Sequence, residues 1–352
     1  MAGWRCVPTA SGGQERERTS VKLREMYETA VQMGMAADPR GRDGVDQYLR
    51  LIKRRFERLP DYLKEVFDQE DLTNPYVDTR IYVGEPDTEV GVLLAGIDMN
   101  VGEVLLADRL CDKGQRVDAI YTHHPEGWGL TKLDRVMEMQ ADIWAALGVP
   151  INTGEMLLDE RRTQIKRRLM PGNADQAVDA ARLLGIPFFS AHTPTDNLVT
   201  DYLTRFFEER KPLLVEDVRQ QLFEIPEYHL AARKGAGPYI SDDVAGKRAG
   251  VIWVDMTGGT EGPVKIMEKL ADRGVGTIVG MHMGPELRSA AEEHNIHVVV
   301  AGHMSSDSLG INLYLDALER NGVEVIPTSG LIRVRRDEGG AVTSTGPGTL
   351  PQ

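Results

Sequence analysis

The chain has 352 residues, 41% of them hydrophobic and 27% charged, a globular balance with length enough for about two domains. Asp and Glu outnumber Lys and Arg by 54 to 41, a formal charge of −13. That sign argues against a surface built to neutralise nucleic-acid phosphates or to lie on anionic lipid.

In chain order, the polar stretch Met1–Ser20 reads as a flexible tail and not a signal peptide. A helical N-terminal extension is predicted over 21–75. Leu23, Met26, Tyr27 and Ala30 recur at helical spacing, as do Tyr48, Leu51, Ile52 and Phe56, and Asp38-Pro39-Arg40-Gly41 separates the two runs. A first α/β lobe is predicted over 76–210. Its apolar strand Val90–Ile97, helix Glu103–Lys113 closed by Gly114, and strand Val117–Tyr121 form a βαβ unit, which implies a parallel sheet with flanking helices. Helices are expected at Leu133–Leu147, Glu160–Leu169, Asp175–Leu184 and Asn197–Arg210, with a strand at Ile186–Ser190.

A second α/β lobe is predicted over 211–338, with helices at Val215–Phe223, Val264–Ala271 and from Pro285 to His294. The strand Ile296–Ala301, a helix from Ser306 to Arg320, and closing strands at Val323–Ile326 and Ile332–Val334 follow. Gly339–Gln352 reads as a second tail. The segment beginning at Gly91 can be laid over the one beginning at Gly250. Gly91 to Gly114 spans 23 residues and Gly250 to Gly274 spans 24, and each unit ends a strand at a histidine, His123 and His282. Two similar lobes follow from this. Two cysteines, Cys6 and Cys111, are too few for a disulfide framework or a Cys-only zinc site. No apolar run reaches membrane-spanning length, so the expectation is a soluble, cytoplasmic protein.

Three clusters carry the chemistry: Thr122-His123-His124-Pro125, His192-Thr193-Pro194-Thr195-Asp196, and Gly302-His303 through Asp307. Each directly follows a predicted strand, where open α/β sheets place ligands. Imidazole with carboxylate suits Zn, Mn, Fe, Co or Ni, and a carboxylate can bridge two such ions. Taken singly, Asp196 and Asp307 are as well explained as helix caps. Four of the eight histidines falling into three strand-end clusters favours a metal site.

In order and spacing these motifs resemble the Nif-three-like family, whose members often carry the label GTP cyclohydrolase one, type two. The resemblance covers about Asp78 to Arg335. It implies two similar α/β lobes with a dinuclear metal site in the cleft between them, and closed ring-like homo-oligomers, often hexamers. Carried over by position, the metal ligands are His123, His124, Asp196, His303 and Asp307, for one or two divalent transition metal ions per chain. His192 then stands beside them as a candidate acid–base or supporting residue. Asp307 departs from the family's usual Glu. Being one methylene shorter, it bridges two ions only if the backbone comes closer. The segment Asp159–Asp175 is expected to form an extra arm over the site or at an oligomer contact.

His282 is read as an extra ligand, a substrate contact or a structural histidine. The turn Met256–Gly262 offers weak grounds for a phosphate site. The leading functional expectation is a metal-dependent hydrolase that uses an activated water on a nucleotide or small phosphorylated metabolite. The alternative is a non-enzymatic metal-binding oligomeric scaffold for storage, delivery, sensing or protein interaction. No Gly-x-Ser-x-Gly or partnered cysteine supports a Ser or Cys nucleophile.

Overall fold

A computed structural model describes residues 20–345. The tail expected over 1–20 lies outside the described residues except for Ser20. Helices α1 (Leu23–Ala36) and α2 (Gly41–Glu57) come first, followed by strands β1 (Ile81–Val83) and β2 (Val92–Gly96). Helix α3 (Val101–Asp112) leads to β3 (Ala119–Thr122), then α4 (Glu138–Ala146), α5 (Ile151–Leu169) and α6 (Gln176–Leu184). After β4 (Phe188–Ser190) come α7 (Thr193–Arg210), α8 (Val215–Phe223) and β5 (Val251–Asp255). There follow α9 (Ile266–Asp272), β6 (Val275–Gly280), α10 (Pro285–Glu293), β7 (His297–Val300), α11 (His303–Arg320) and β8 (Glu324–Pro327).

The architecture is α/β with two mainly parallel sheets. The larger runs β8-β2-β3-β4-β1, parallel except where β1 pairs antiparallel with β4. The smaller is the all-parallel β5-β6-β7. Strands β2, β3 and β4 are buried throughout. This is why they read as continuous apolar runs without alternation.

Neither lobe is built from one continuous half of the chain. The segment 211–338, expected as the second lobe, crosses back: β8 lies beside β2 in the first sheet, pairing Val325 with Leu93. Ile311, Tyr314 and Leu315 of α11 also pack into the first lobe's core with Leu93, Ala95 and Tyr121. Conversely, α4 and α5 from the first half cover the second sheet. Trp144, Leu158 and Ile165 share a core with Trp253, Leu270 and Ile278. The segment Asp159–Asp175 therefore begins within a helix packed on the second lobe.

Helix α1 is integral to the first lobe, with Leu23, Met26 and Ala30 in the same core as β2 and β3. The expected C-terminal tail is corrected in part: Val342–Thr345 pairs antiparallel with Val334–Arg336, because this segment has a strand partner that a free tail lacks. Its last residues, 346–352, lie outside the described residues.

Helices α7 and α11 lie side by side between the two sheets. Val199, Leu203 and Leu309 face the second sheet's Val254, Val279 and Val299. The close approach needs Gly310. A Cβ there would sit 2.1 Å from the Thr195 carbonyl oxygen, inside any permitted contact. Among the described residues, no helix is long and apolar enough to cross a membrane.

Candidate metal site

All three strand-end clusters meet where α7 and α11 begin. His123 and His124 follow β3, fixed by their N–H groups donating to the carbonyls of Gly96 and Ile97 after β2. His192 precedes α7 and Asp196 lies in its first turn, while His303 opens α11 and Asp307 stands one turn on. Gly310 lets α11 lie against the Thr195 carbonyl, next to Asp196.

Asp307 is the hub. Its Oδ1 lies 3.5 Å from His123 Nε2, and its Oδ2 lies 3.6 Å from His124 Nε2 and 3.4 Å from His303 Nε2. Asp196 Oδ1 is 3.5 Å from the same His123 nitrogen. These separations exceed ordinary hydrogen bonds. His123 Nε2, Asp196 Oδ1 and both oxygens of Asp307 are buried without a hydrogen-bond partner. Buried polar atoms are nearly always paired, so four such atoms converging on one spot call for an explanation. A divalent cation fits them, with imidazole nitrogens and carboxylate oxygens as its donor set.

Three overlapping groups have ligand atoms all within 4.8 Å of one another: His123, His124 and His192; His124, His303 and Asp307; and His123, Asp196 and Asp307. Every expected ligand position, together with His192, is thus drawn into one constellation.

The outer ring nitrogens are held as metal-binding histidines usually are. His123 Nδ1 is 2.9 Å from the Thr195 hydroxyl, His124 Nδ1 is 2.7 Å from Asp98, and His192 Nδ1 is 2.7 Å from Asp78. Thr193 also donates to Asp78, at 2.6 Å. Thr193 and Thr195 lie inside the second cluster, whereas Asp78 and Asp98 escaped the sequence reading as supporting groups. Asp98 follows β2 just as His124 follows β3, so strand-end logic applied to every strand would have found it. Asp78 precedes an antiparallel edge strand and carries no such signal.

Burial lowers the His123 pKa to about 4, leaving it neutral and fit to donate a lone pair. Burial works against ionised Asp307, but His123, His303 and His124 outweigh it and hold its pKa below the ordinary value. Burial also opposes charge on His192, yet Asp196 and Asp78 raise its pKa to about 9. Asp196 is pushed well above the usual carboxylate range by burial.

His282 stands apart. It lies near the cluster, with its ring centroid 5.0 Å from that of His303, but belongs to none of the three ligand groups. Its Nδ1 is 2.9 Å from Glu261. Strand register also changes its counterpart. The Ala191 N–H bonds the Thr122 carbonyl and the Ala301 N–H bonds the Gly280 carbonyl, so Thr122 and Gly280 are equivalent. His282, two residues beyond Gly280, therefore answers to His124 and not to His123.

A pocket of about 70 Å³ opens beside the cluster, lined by Asp196, His303 and Asp307 together with Thr257, Gly259 and His282. The turn flagged in the sequence therefore reaches the site. Gln140 from α4 pins it by donating to the carbonyls of Gly258 and Thr260, at 2.7 and 2.5 Å.

No family model matches the chain, and no curated protein matches its sequence. Solved structures do match. A NIF3 superfamily protein from Sphaerobacter thermophilus aligns at 24% identity with a TM-score of 0.68, covering 89% of this chain and 100% of that one. This chain has the fold of that NIF3 superfamily protein. Reduced HcgD from Methanocaldococcus jannaschii aligns at 18% identity and a TM-score of 0.48, over 76% of this chain and 94% of that one. TTHA1606 from Thermus thermophilus aligns at 16% and 0.42, over 80% and 96%.

Proposed function

We propose that the protein is a metal-dependent hydrolase that holds two divalent ions and acts on a nucleotide or another small phosphorylated metabolite. One observation carries the reading: the two unpaired oxygens of buried Asp307 face different imidazoles, Oδ1 towards His123 and Oδ2 towards His124 and His303. A carboxylate so placed suits a bridge. His123 and Asp196 complete one side, and His124 with His303 the other. His192, whose Nε2 lies 3.5 Å from Asp196, stands beside the first set as an acid–base or supporting residue.

When bound, such ions supply Lewis acidity and an activated water. The chain's own residues fix the donor atoms through Asp78, Asp98 and Thr195, and they leave a pocket beside the donors. The pinned Met256–Gly262 turn forms the wall that a phosphate group would meet, which supports the substrate class.

The test is elemental analysis of the untagged protein with the His123→Ala and Asp307→Ala variants, followed by a hydrolysis screen of nucleotides and phosphate esters. About two ions per chain, lost in Asp307→Ala and reduced in His123→Ala, with turnover of at least one ester, is the expected result. One ion per chain would overturn the bridge. Full metal sites with no turnover across the screen would overturn the hydrolase and leave the metal-binding scaffold.

A further inference from the structure

We propose that His282, held by Glu261 on the second lobe with its ring against that of His303, is the proton donor of this site, lining the same pocket as the ligand cluster and protonating the leaving oxygen of a phosphate ester. The proposal rests on the hydrolase reading above and adds to it a residue outside the ligand set.

The geometry makes His282 a working imidazole without making it a ligand. Glu261 accepts from both His282 Nδ1, at 2.9 Å, and the Gly284 N–H, at 2.6 Å. The carboxylate is thus pinned to the start of α10, and it pins the ring in turn. With Nδ1 engaged, Nε2 is the ring atom left to the pocket that His282 lines. His124 has the same arrangement, with Nδ1 on Asp98, but its Nε2 faces Asp307. Among the described residues, the only carboxylate within ion-pair distance of His282 is Glu261. Its side chain is 50% exposed, against 26% for His124, so solvent can restore its proton after each turnover.

The step balances without a further reactant. A water oxygen forms a bond to phosphorus as the bond from phosphorus to the leaving oxygen breaks. Water loses one proton, and the leaving oxygen takes one from His282 Nε2. Solvent then reprotonates the ring. Such donation matters most where the leaving oxygen is strongly basic.

The experiment uses the full chain loaded with zinc, as wild type, His282→Gln and Glu261→Gln. It compares glycerol phosphate, a poor leaving group, with p-nitrophenyl phosphate, a good one. The expected loss in kcat for His282→Gln is about 100-fold on glycerol phosphate and only a few-fold on p-nitrophenyl phosphate. Glu261→Gln is expected to show the same pattern more weakly, and zinc per chain stays at the wild-type value in both.

A second readout needs no turnover. Diethyl pyrocarbonate, mapped by mass spectrometry, is expected to modify His282 equally with and without zinc, while zinc protects His124 and His303. Zinc protection of His282, or zinc loss in His282→Gln, would make it a ligand and overturn the proposal. Equal losses on both esters, or none, would overturn it while leaving the hydrolase intact. Wild-type protein with full zinc sites that hydrolyses neither these esters nor any compound in the broader screen would remove both readings.

Discussion

His124 and His282 close equivalent strands in the two lobes, and each rests its Nδ1 on an acidic side chain. Around His124 the helices α7 and α11 bring Asp307 and two more histidines within reach. His282 meets the His303 ring at 5.0 Å but joins none of the three ligand groups, and it lines the pocket. The strand end supplies a rigid imidazole in both lobes, and what that imidazole can do is set by which helix starts face it. On the readings proposed above, a repeat in the chain yields one metal ligand and one proton donor from the same local construction.

The largest expected effect breaks the comparison at its hub. Asp307→Asn should abolish tight divalent binding, measured by calorimetry on the purified chain. The same change should also lower the melting temperature of metal-free protein, because His123, His303 and His124 hold ionised Asp307 below its ordinary pKa and so contribute stability that a neutral amide loses. A melting temperature that rises in metal-free protein would contradict it.

Next comes the helix pairing that separates the two histidines' surroundings. Gly310→Ala places a methyl against the Thr195 carbonyl, so α11 must move away from α7. A cost of about 3 kcal/mol in urea unfolding is expected, together with weaker metal binding. Unchanged stability would mean that the two helices can separate there at no cost.

The supporting carboxylates give a sharper contrast. Asp98→Asn should weaken metal binding by about tenfold, since it loosens the ring of a ligand. Glu261→Gln, the equivalent change in the second lobe, should leave affinity within about twofold. Parallel calorimetry of the two variants decides this, and equal losses would make His282 a ligand too.

The smallest effect is one of pH. Asp255, at the end of β5, has its pKa raised to about 7, chiefly by burial. Folded protein then keeps a proton that the unfolded chain releases near pH 4, so stability falls as pH rises from about 4 to 7. Asp255→Asn lacks this proton and should lose less stability between pH 5 and pH 8. Denaturant midpoints of the two metal-free proteins at those values test the sign.

Much of the site could be read from residue order because its donors sit at strand ends, a local property of each βα unit. The three clusters needed no knowledge of the tertiary fold to be singled out, and the set His123, His124, Asp196, His303 and Asp307 within them followed from the family resemblance. What could not be read is non-local. The crossing at Gly310 depends on a helix more than 100 residues upstream. The place of β8 in the first sheet depends on pairing with a strand far back in the chain. The turn at Met256–Gly262 looked ordinary because Gln140, which fixes it, lies on a helix assigned to the other lobe. Likewise, His192 is set apart from His123 and His124 only by position in a motif, whereas its ligand atom lies within 4.8 Å of theirs and its Nε2 lies 3.5 Å from Asp196.

The pairing of Glu324–Pro327 with Val92–Gly96 also bears on biosynthesis. A ribosome delivers the first sheet's middle strands early and its edge strand only after nearly the whole second lobe has emerged. Until then β2 has an unsatisfied edge, and α11, with two of the metal donors, is not yet in place. Such late, long-range closure slows folding and exposes partly built sheets to self-association. The nascent chain consequently has no complete ion site to fill while its N-terminal half waits.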